Sequence, residues 1–295
     1  GSKYLDFLSA YSAVSHGHCH PRLLKTMTEQ ARKLTLTSRA FRSDRLGMFY
    51  KTLHDLTGYE MALPMNTGAE AVETVIKAVR KWGYQVKGIP EDKAEIIVCA
   101  NNFHGRTTTI VGFSSEAQYR SGFGPFTPGF RILPYGDARA VAEAMHSNVA
   151  GVLVEPIQGE SGIIVPPNGY LEELRRLTSE HNALLIADEI QSGLARAGTT
   201  LAIEHYGLTP DVVIMGKALG GGSGGFTTGR QEIIDILRQR FGEAVRQGFE
   251  QNGGVVIMGG LEGFHVWLDT QSGGAVEMRA ENLVVKLAGQ DPPKL

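Results

Sequence analysis

Two apolar runs in this chain end in groups that can do chemistry. Leu184-Leu185-Ile186-Ala187-Asp188 ends in an acid, and Asp211-Val212-Val213-Ile214-Met215-Gly216-Lys217 ends in an amine that a glycine cluster follows. Short runs of this composition predict buried strands. Ligand sites in open α/β sheets lie beyond the carboxyl ends of the strands. An acid and an amine delivered there from two strands suit pyridoxal phosphate. The amine forms a Schiff base with its aldehyde, and the carboxylate pairs with its ring nitrogen. The competing reading of the two residues is an ordinary ion pair at a strand end.

Other stretches carry similar two-way readings. Pro64-Met65-Asn66-Thr67-Gly68-Ala69-Glu70 leads into a predicted helix. A helix N-terminus offers free N–H groups and positive dipole to a phosphate, with Gly68 allowing close approach and Thr67 adding a hydroxyl. The same letters also spell an N-cap with Glu70 closing a capping box. Asn102-Phe103-His104-Gly105-Arg106 follows a predicted strand. Its Phe103 suits stacking on a flat ring and its Arg106 suits a carboxylate, unless the stretch is a plain surface loop. Glu155-Pro156-Ile157-Gln158-Gly159-Glu160 also follows a strand, and its carboxylates either contact a cofactor or arginine or are solvated. His16-Gly17-His18-Cys19-His20-Pro21 has the residue types of a metal cluster. Alternating histidines in an extended segment point to opposite faces, and no pair with zinc-finger spacing complements them, so no metal is assigned.

The elements that would position these residues alternate between strand and helix from about residue 66 to residue 217. Ala69, Val72, Val75, Ile76 and Val79 give the stripe of a helix running from Thr67 to about Val86. Strands are expected at Ile96–Ala100, Arg131–Pro134 and Val149–Glu155, as well as at the two opening runs. Helices are expected from Ala138 to His146, N-capped by Asp137, and from Tyr170 to His181. Near-continuous Val/Ile/Leu runs mean strands covered on both faces, hence an α/β fold with a mostly parallel sheet. Tyr4-Leu5-Asp6-Phe7-Leu8 reads as a further strand. Beyond Gly225 a helix is expected from Arg230 to about Gln247, then strands at Val255–Met258 and Phe264–Leu268. We divide the chain into an N-terminal segment (1–40), a large domain (41–225) and a divergent C-terminal segment (226–295).

Composition limits the function classes. The 295 residues are 42% hydrophobic and 20% charged, with a formal net charge of -2 and two cysteines. That balance gives no basic footprint for nucleic acid. No apolar run reaches the roughly 20 residues of a membrane span, and no signal-peptide pattern is recognised. Cys19 and Cys99 are too few for a disulfide framework, so a reducing compartment is expected.

Taken in order, the motifs resemble those of the class III, fold-type I aminotransferases, and within them the ornithine-using branch. The resemblance rests on Leu5 to Val14 with Gly17-His18-Cys19-His20-Pro21, on Leu34 to Phe41, and on Leu63-Pro64-Met65-Asn66-Thr67-Gly68. It continues through Gly122-Phe123-Gly124-Pro125-Phe126, Val154 to Glu160, Ile186 to Arg196 and Gly216-Lys217-Ala218-Leu219. It covers about residues 3 to 222. From Lys217 to Arg240 the chain also resembles another fold-type I enzyme class, glycine C-acetyltransferase.

The resemblance implies a fold-type I large domain with an incomplete small domain, and pyridoxal phosphate as cofactor. Lys217 would be the Schiff-base lysine and proton shuttle, and Asp188 would hold the ring nitrogen protonated. Gln191 would reach the ring hydroxyl, with Ile190 under the ring and Phe103 on its other face. Thr67, Gly68 and Ala69 would bind the phosphate. Tyr11 and Arg106 would hold the α-end of ornithine so that its δ-amine reacts, and Glu160 would mask an arginine in the first half-reaction. The implied partners are an amino acid and a 2-oxo acid, within a homodimer that binds neither nucleic acid nor membrane. The expected compartment is the cytoplasm, or else the mitochondrial matrix. The alternatives are an acetyltransferase-like acyl transfer and an inactive cofactor binder.

Overall fold

The structure is a computed structural model, which describes residues 3–6, 8–36, 41–220, 225–230, 255–260, 263–270 and 274–279. The chain divides into two units, the first comprising residues 1–20 and 51–237, the second residues 21–50 and 238–295.

A seven-stranded sheet carries the first unit. Its strands are β1 (Met61–Met65), β2 (Glu95–Cys99), β3 (Phe130–Leu133), β4 (Val149–Val154), β5 (Leu184–Asp188), β6 (Val212–Met215) and β7 (Gly225–Gly229), in the spatial order β1-β7-β6-β5-β4-β2-β3. Neighbours from β6 to β3 are parallel; β7 is antiparallel to both β6 and β1. Only β7 is reversed, so β1 points the same way as the parallel set. The carboxyl ends of β1, β2, β4, β5 and β6 therefore share one edge.

Every residue of β4, β5 and β6 is buried. This is why these strands read as unbroken apolar runs rather than as alternation. β1 is an edge strand and contains Pro64, a position that an edge tolerates because no ladder N–H is needed there. It was not foreseen, since proline argues against a strand.

Helices α1 (Ser9–Ser12), α2 (Pro21–Ala31), α3 (Leu46–Thr57), α4 (Gly68–Trp82), α5 (Thr108–Gly112), α6 (Ala117–Arg120), α7 (Ala138–Ala144) and α8 (Tyr170–Glu180) complete the described pattern, with short 3₁₀ and π turns. α4 forms on the expected stripe. Val72, Val75, Ile76, Val79 and Trp82 are all buried in the main core, each aliphatic side chain contributing about 1.5–3 kcal/mol. Its start is fixed by Thr67, whose Oγ1 accepts from Glu70 N at 3.1 Å, while Glu70 Oε2 accepts from Asn66 N at 2.7 Å. The last predicted turn, up to Val86, is instead part of a π turn, Gly83–Lys87. It brings Lys87 Nζ to the carbonyls of Val149 and His181. α7 begins as expected, with Asp137 Oδ1 accepting from Ala140 N.

The strand expected at the N-terminus does not form. Tyr4 to Asp6 lie outside regular structure, and Tyr4 and Leu5 are exposed. Asp6 Oδ1 accepts from the N–H groups of Leu8 and Ser9, which turns the chain instead. Phe7, the motif residues 37–40, the glycines within 221–224 and the helix expected beyond Arg230 lie outside the described residues.

Asp211 joins three elements of the first unit. Its Oδ2 accepts from Arg175 Nη1 at 2.9 Å and from Leu185 N at 2.8 Å, and its Oδ1 lies 3.3 Å from Arg230 Nη1. It is buried, so removing it takes the carboxylate from Arg175 Nη1 and the side-chain acceptor from the Leu185 N–H. Asp211→Ala is expected to cost roughly 2–4 kcal/mol, read as a lower denaturant midpoint. An unchanged midpoint would show that the cluster is dispensable.

The second unit, taken by itself, contains α2 and an antiparallel sheet of β8 (Val255–Gly260), β9 (Gly263–Thr270) and β10 (Gly274–Arg279), in the order β10-β9-β8. The first two are the strands read at Val255–Met258 and Phe264–Leu268. β8 and β9 pair from Val255 and Leu268 to Gly260 and Gly263.

Candidate active site

The strand register sets the site. Val154 pairs with Ala187, which puts the next residues, Glu155 and Asp188, side by side at the carboxyl edge. Asp188 in turn pairs with Ile214, so Lys217 leaves β6 just past the level of Asp188. A cavity of ≈ 520 Å³ lies there. Its walls come from the start of α4 (Thr67, Gly68, Ala69), the segment after β2 (Phe103 to Thr107), Glu155, the segment after β5 (Asp188, Ile190, Gln191) and Lys217.

Backbone approach at this cavity depends on two glycines. A Cβ on Gly68 would come within 2.9 Å of Ile190 Cδ1, and one on Gly105, at φ +126°, within 2.9 Å of Ala69 Cβ. The first-turn N–H groups of α4 lack intrahelical acceptors, so Gly68 and Ala69 bring donors and positive dipole to the wall.

Asp188 is buried and holds two partners. Its Oδ2 is 2.6 Å from His104 Nδ1, and its Oδ1 accepts from Ile190 N at 3.0 Å. Burial on its own would push the His104 imidazole down, but the hydrogen bond and charge of Asp188, helped by Glu155, leave it above its ordinary value. The contact with Asp188 therefore favours the charged form of the buried imidazole. His104 Nε2 is buried with no hydrogen-bond partner among the described residues.

Lys217 Nζ donates to Gln191 Oε1 at 3.0 Å and lies 3.9 Å from Glu160 Oε1. Burial pushes its pKa below the ordinary lysine value, against the pull of Glu160, Asp188 and Glu155. A lysine with a lowered pKa has a larger share of neutral, nucleophilic amine. Burial also raises Glu155 to about 7, opposed by His104 and reinforced by Asp188.

Of the residues singled out in the sequence, the structure brings Thr67, Gly68, Ala69, Phe103, Arg106, Asp188, Ile190, Gln191 and Lys217 to this one cavity. Glu160 is 3.9 Å from Lys217 but does not line the cavity. Tyr11 is not on the wall either; it is half exposed, in a turn whose residues Ser9 to Ser12 all have positive φ, and that turn lies beside Lys217–Leu219. Thr67 both caps α4 and lines the cavity, so its two readings are not exclusive: the oxygen accepts from Glu70 and the hydroxyl still carries a donor.

The site also contains Glu155, whose segment the sequence offered for cofactor or arginine contact, and His104 and Thr107, which had no assigned role. His104 lies inside a quoted motif, but loop residues have no periodicity to say which one turns inward. Cys99 is buried beneath this region, its thiol pushed up to about 12 by burial. Among the described residues, no group of three or more His, Cys, Asp and Glu side chains is placed to hold a metal ion, and no helix is long and apolar enough to cross a membrane.

A mostly parallel seven-stranded sheet with this cavity at its carboxyl edge is the architecture of fold-type I aminotransferases. The match to known proteins carries this further. Residues 1–242 match the model of the family described as aminotransferase class-III. The chain belongs to that family, whose enzymes use pyridoxal phosphate. The match extends past Gly222 and takes in the stretch from Lys217 to Arg240, and it does not favour the acetyltransferase-like alternative.

Among curated relatives, the chain is 58% identical to an ornithine aminotransferase of Brevibacillus brevis over 222 residues, covering 75% of this chain and 56% of the relative. It is 55% identical to one from Bacillus subtilis, again over 222 residues. The chain thus spans about half the length of these relatives. Among solved structures, the ornithine aminotransferase of Toxoplasma gondii superposes with a TM-score of 0.78 at 37% identity, covering 92% of this chain and 75% of that one. The acetylornithine aminotransferase of Elizabethkingia anophelis gives a TM-score of 0.71 at 51% identity, covering 80% and 58%.

Proposed function

We propose that this protein transfers the δ-amino group of L-ornithine to a 2-oxo acid such as 2-oxoglutarate, giving glutamate-5-semialdehyde and the matching amino acid. The observation that carries the reading is the convergence of Lys217, Asp188, Gln191 and the start of α4 on one cavity. The names of the relatives at 55% and 58% identity support ornithine as the donor. A homodimer in the cytoplasm completes the reading.

The residues present fit pyridoxal phosphate. Gly68 and Ala69, with the Thr67 hydroxyl, would hold its phosphate, and a Cβ at Gly68 would collide with Ile190. Asp188 would pair with the ring nitrogen, Gln191 would reach the ring hydroxyl, and Phe103 and Ile190 would flank the ring. When bound, the cofactor supplies an aldehyde for the amine and a ring that accepts electrons.

The chain's own groups then have defined tasks. Asp188, its charge set against His104, favours a positively charged ring nitrogen. Lys217, its pKa lowered by burial, would be both nucleophile and the base that moves a proton at the donor carbon. Arg106 lines the cavity as a fork for the α-carboxylate of the donor. With Tyr11, it would keep the α-end of ornithine away from Lys217 so that the δ-amine enters the chemistry. Glu160, close to Lys217, would mask an arginine while the amino donor is bound.

The test is an incubation with L-ornithine, 2-oxoglutarate and pyridoxal phosphate. The semialdehyde, which cyclises on itself, is trapped with o-aminobenzaldehyde, and glutamate is measured separately. Both products should appear together, in equal amounts. Turnover of N-acetylornithine but not ornithine would move the donor assignment, and coenzyme A release from glycine and acetyl-CoA would replace it altogether.

A further inference from the structure

The described residues outside the cavity offer no comparable cluster, but one cavity residue has no task in the chemistry above. Glu155 sits at the end of β4, buried beside Asp188. Its Oε2 accepts from Phe103 N at 3.2 Å, and the Gly159 N–H faces the same carboxylate and favours its charged form. Phe103 is the aromatic wall. Gly159 lies flat on the Gln191 amide: a Cβ there would come within 2.4 Å of Gln191 Cδ. Gln191 Oε1 in turn accepts from Lys217 Nζ. From behind, the Tyr135 hydroxyl donates to the carbonyls of Glu155 and Pro156, anchoring the backbone that carries this carboxylate.

We propose that Glu155 is a positioning residue: through the N–H groups of Phe103 and Gly159, its carboxylate sets the aromatic wall and the Gln191 amide, and hence the place of Lys217. The inference deepens the cofactor reading and rests on it for its functional consequence.

The energetics separate this role from a merely structural one. Burial raises the Glu155 carboxyl to about 7, with His104 and the two N–H groups opposing and Asp188 reinforcing; Lys217 also faces it. A carboxyl raised in the folded state contributes stability that is present below its unfolded value near 4.5 and is lost as pH rises to about 7. At pH 8 the carboxylate thus destabilises the fold, and a neutral amide of the same shape does not. Glutamine has one acceptor oxygen in place of two and no charge, so it relieves the burial cost while weakening the hold on the two N–H groups.

The experiment compares wild type, Glu155→Gln and Gly159→Ala at pH 8. In the protein without cofactor, Glu155→Gln should raise amide hydrogen exchange at Phe103 and Gly159 about tenfold, with a urea midpoint no lower than wild type. Its dissociation constant for pyridoxal phosphate should rise about tenfold, with a weaker circular-dichroism band of the bound cofactor. Gly159→Ala displaces only the end of a flexible glutamine, so it folds. It should weaken cofactor binding similarly while leaving Phe103 exchange unchanged. Unaltered exchange at Phe103 and Gly159 in Glu155→Gln overturns the proposal, as does a fallen urea midpoint with unaltered cofactor affinity. A wild-type protein that binds no pyridoxal phosphate sinks the cofactor reading instead, and the exchange result still decides whether Glu155 grips its two amides.

Discussion

Lys217→Ala is expected to abolish covalent attachment of pyridoxal phosphate and to reduce transamination to background. Lys217 is the one lysine among the described residues lining the cavity, and its lowered pKa makes it the amine best able to attack an aldehyde. Neighbouring groups cannot take over: Arg106 carries a guanidino group and Gln191 an amide, and neither is a primary amine. Borohydride reduction followed by mass spectrometry reads the outcome directly. Wild type should gain the mass of the reduced cofactor on the peptide containing Lys217. An equal gain on Lys217→Ala would remove the assignment of this residue. The substitution also deletes a partly buried amine whose desolvation opposes folding, so stability should be held or raised.

Asp188→Asn is expected to lower kcat/KM by about a thousandfold, the scale seen when a preorganised charge is removed from a reacting centre. The variant keeps the shape and one acceptor but loses the charge that faces His104 and would face the ring nitrogen. A second signature follows from His104. In wild type its pKa is raised, because Asp188 outweighs the cost of burial. Such a group contributes stability that is fully present below its unfolded value near 6.5 and is lost as pH rises through the higher folded value. The neutral amide of the variant cannot support the imidazolium, and burial then disfavours it. The stability gap between wild type and variant should therefore be widest below about pH 6.5 and narrow above it. A gap that does not change with pH would mean that the contact of 2.6 Å is not a charge pair.

How far the site was legible depends on what each residue's position obeys. Asp188 ends one strand buried on both faces and Lys217 closely follows another, and such strands announce themselves as unbroken apolar runs. α4 was legible from its stripe and from Thr67, which caps the helix and also faces the cavity. β1 was hidden by Pro64, which only an edge position excuses, and edges are a property of the whole sheet. β7 was hidden because its sequence, Gly225-Phe226-Thr227-Thr228-Gly229, has neither an apolar run nor a clean alternation. His104 had no assigned role, and Glu155 was read only as one carboxylate of its segment, because their significance is pairwise. His104 matters through Asp188, 84 residues away, and Glu155 through an amide 52 residues away. Tyr11 was singled out by resemblance alone, and the structure leaves it on a half-exposed turn.

The insertion of β7 between β6 and β1 carries a consequence for synthesis. β1 emerges from the ribosome early, yet its sheet neighbour is β7, with Met61 paired to Gly229. While the intervening chain is being made, β1 and the start of α4 have no ladder to join, and β6 has an open side. At roughly 5–20 residues per second, that interval lasts on the order of ten seconds or more. The α4 end and the Lys217 end of the cavity are thus brought into one sheet by the last of its strands to be translated. A nascent chain stalled before residue 225 would hold both halves of the site without the strand that joins them, and its unpaired edges would be open to chaperones or to another copy of the chain.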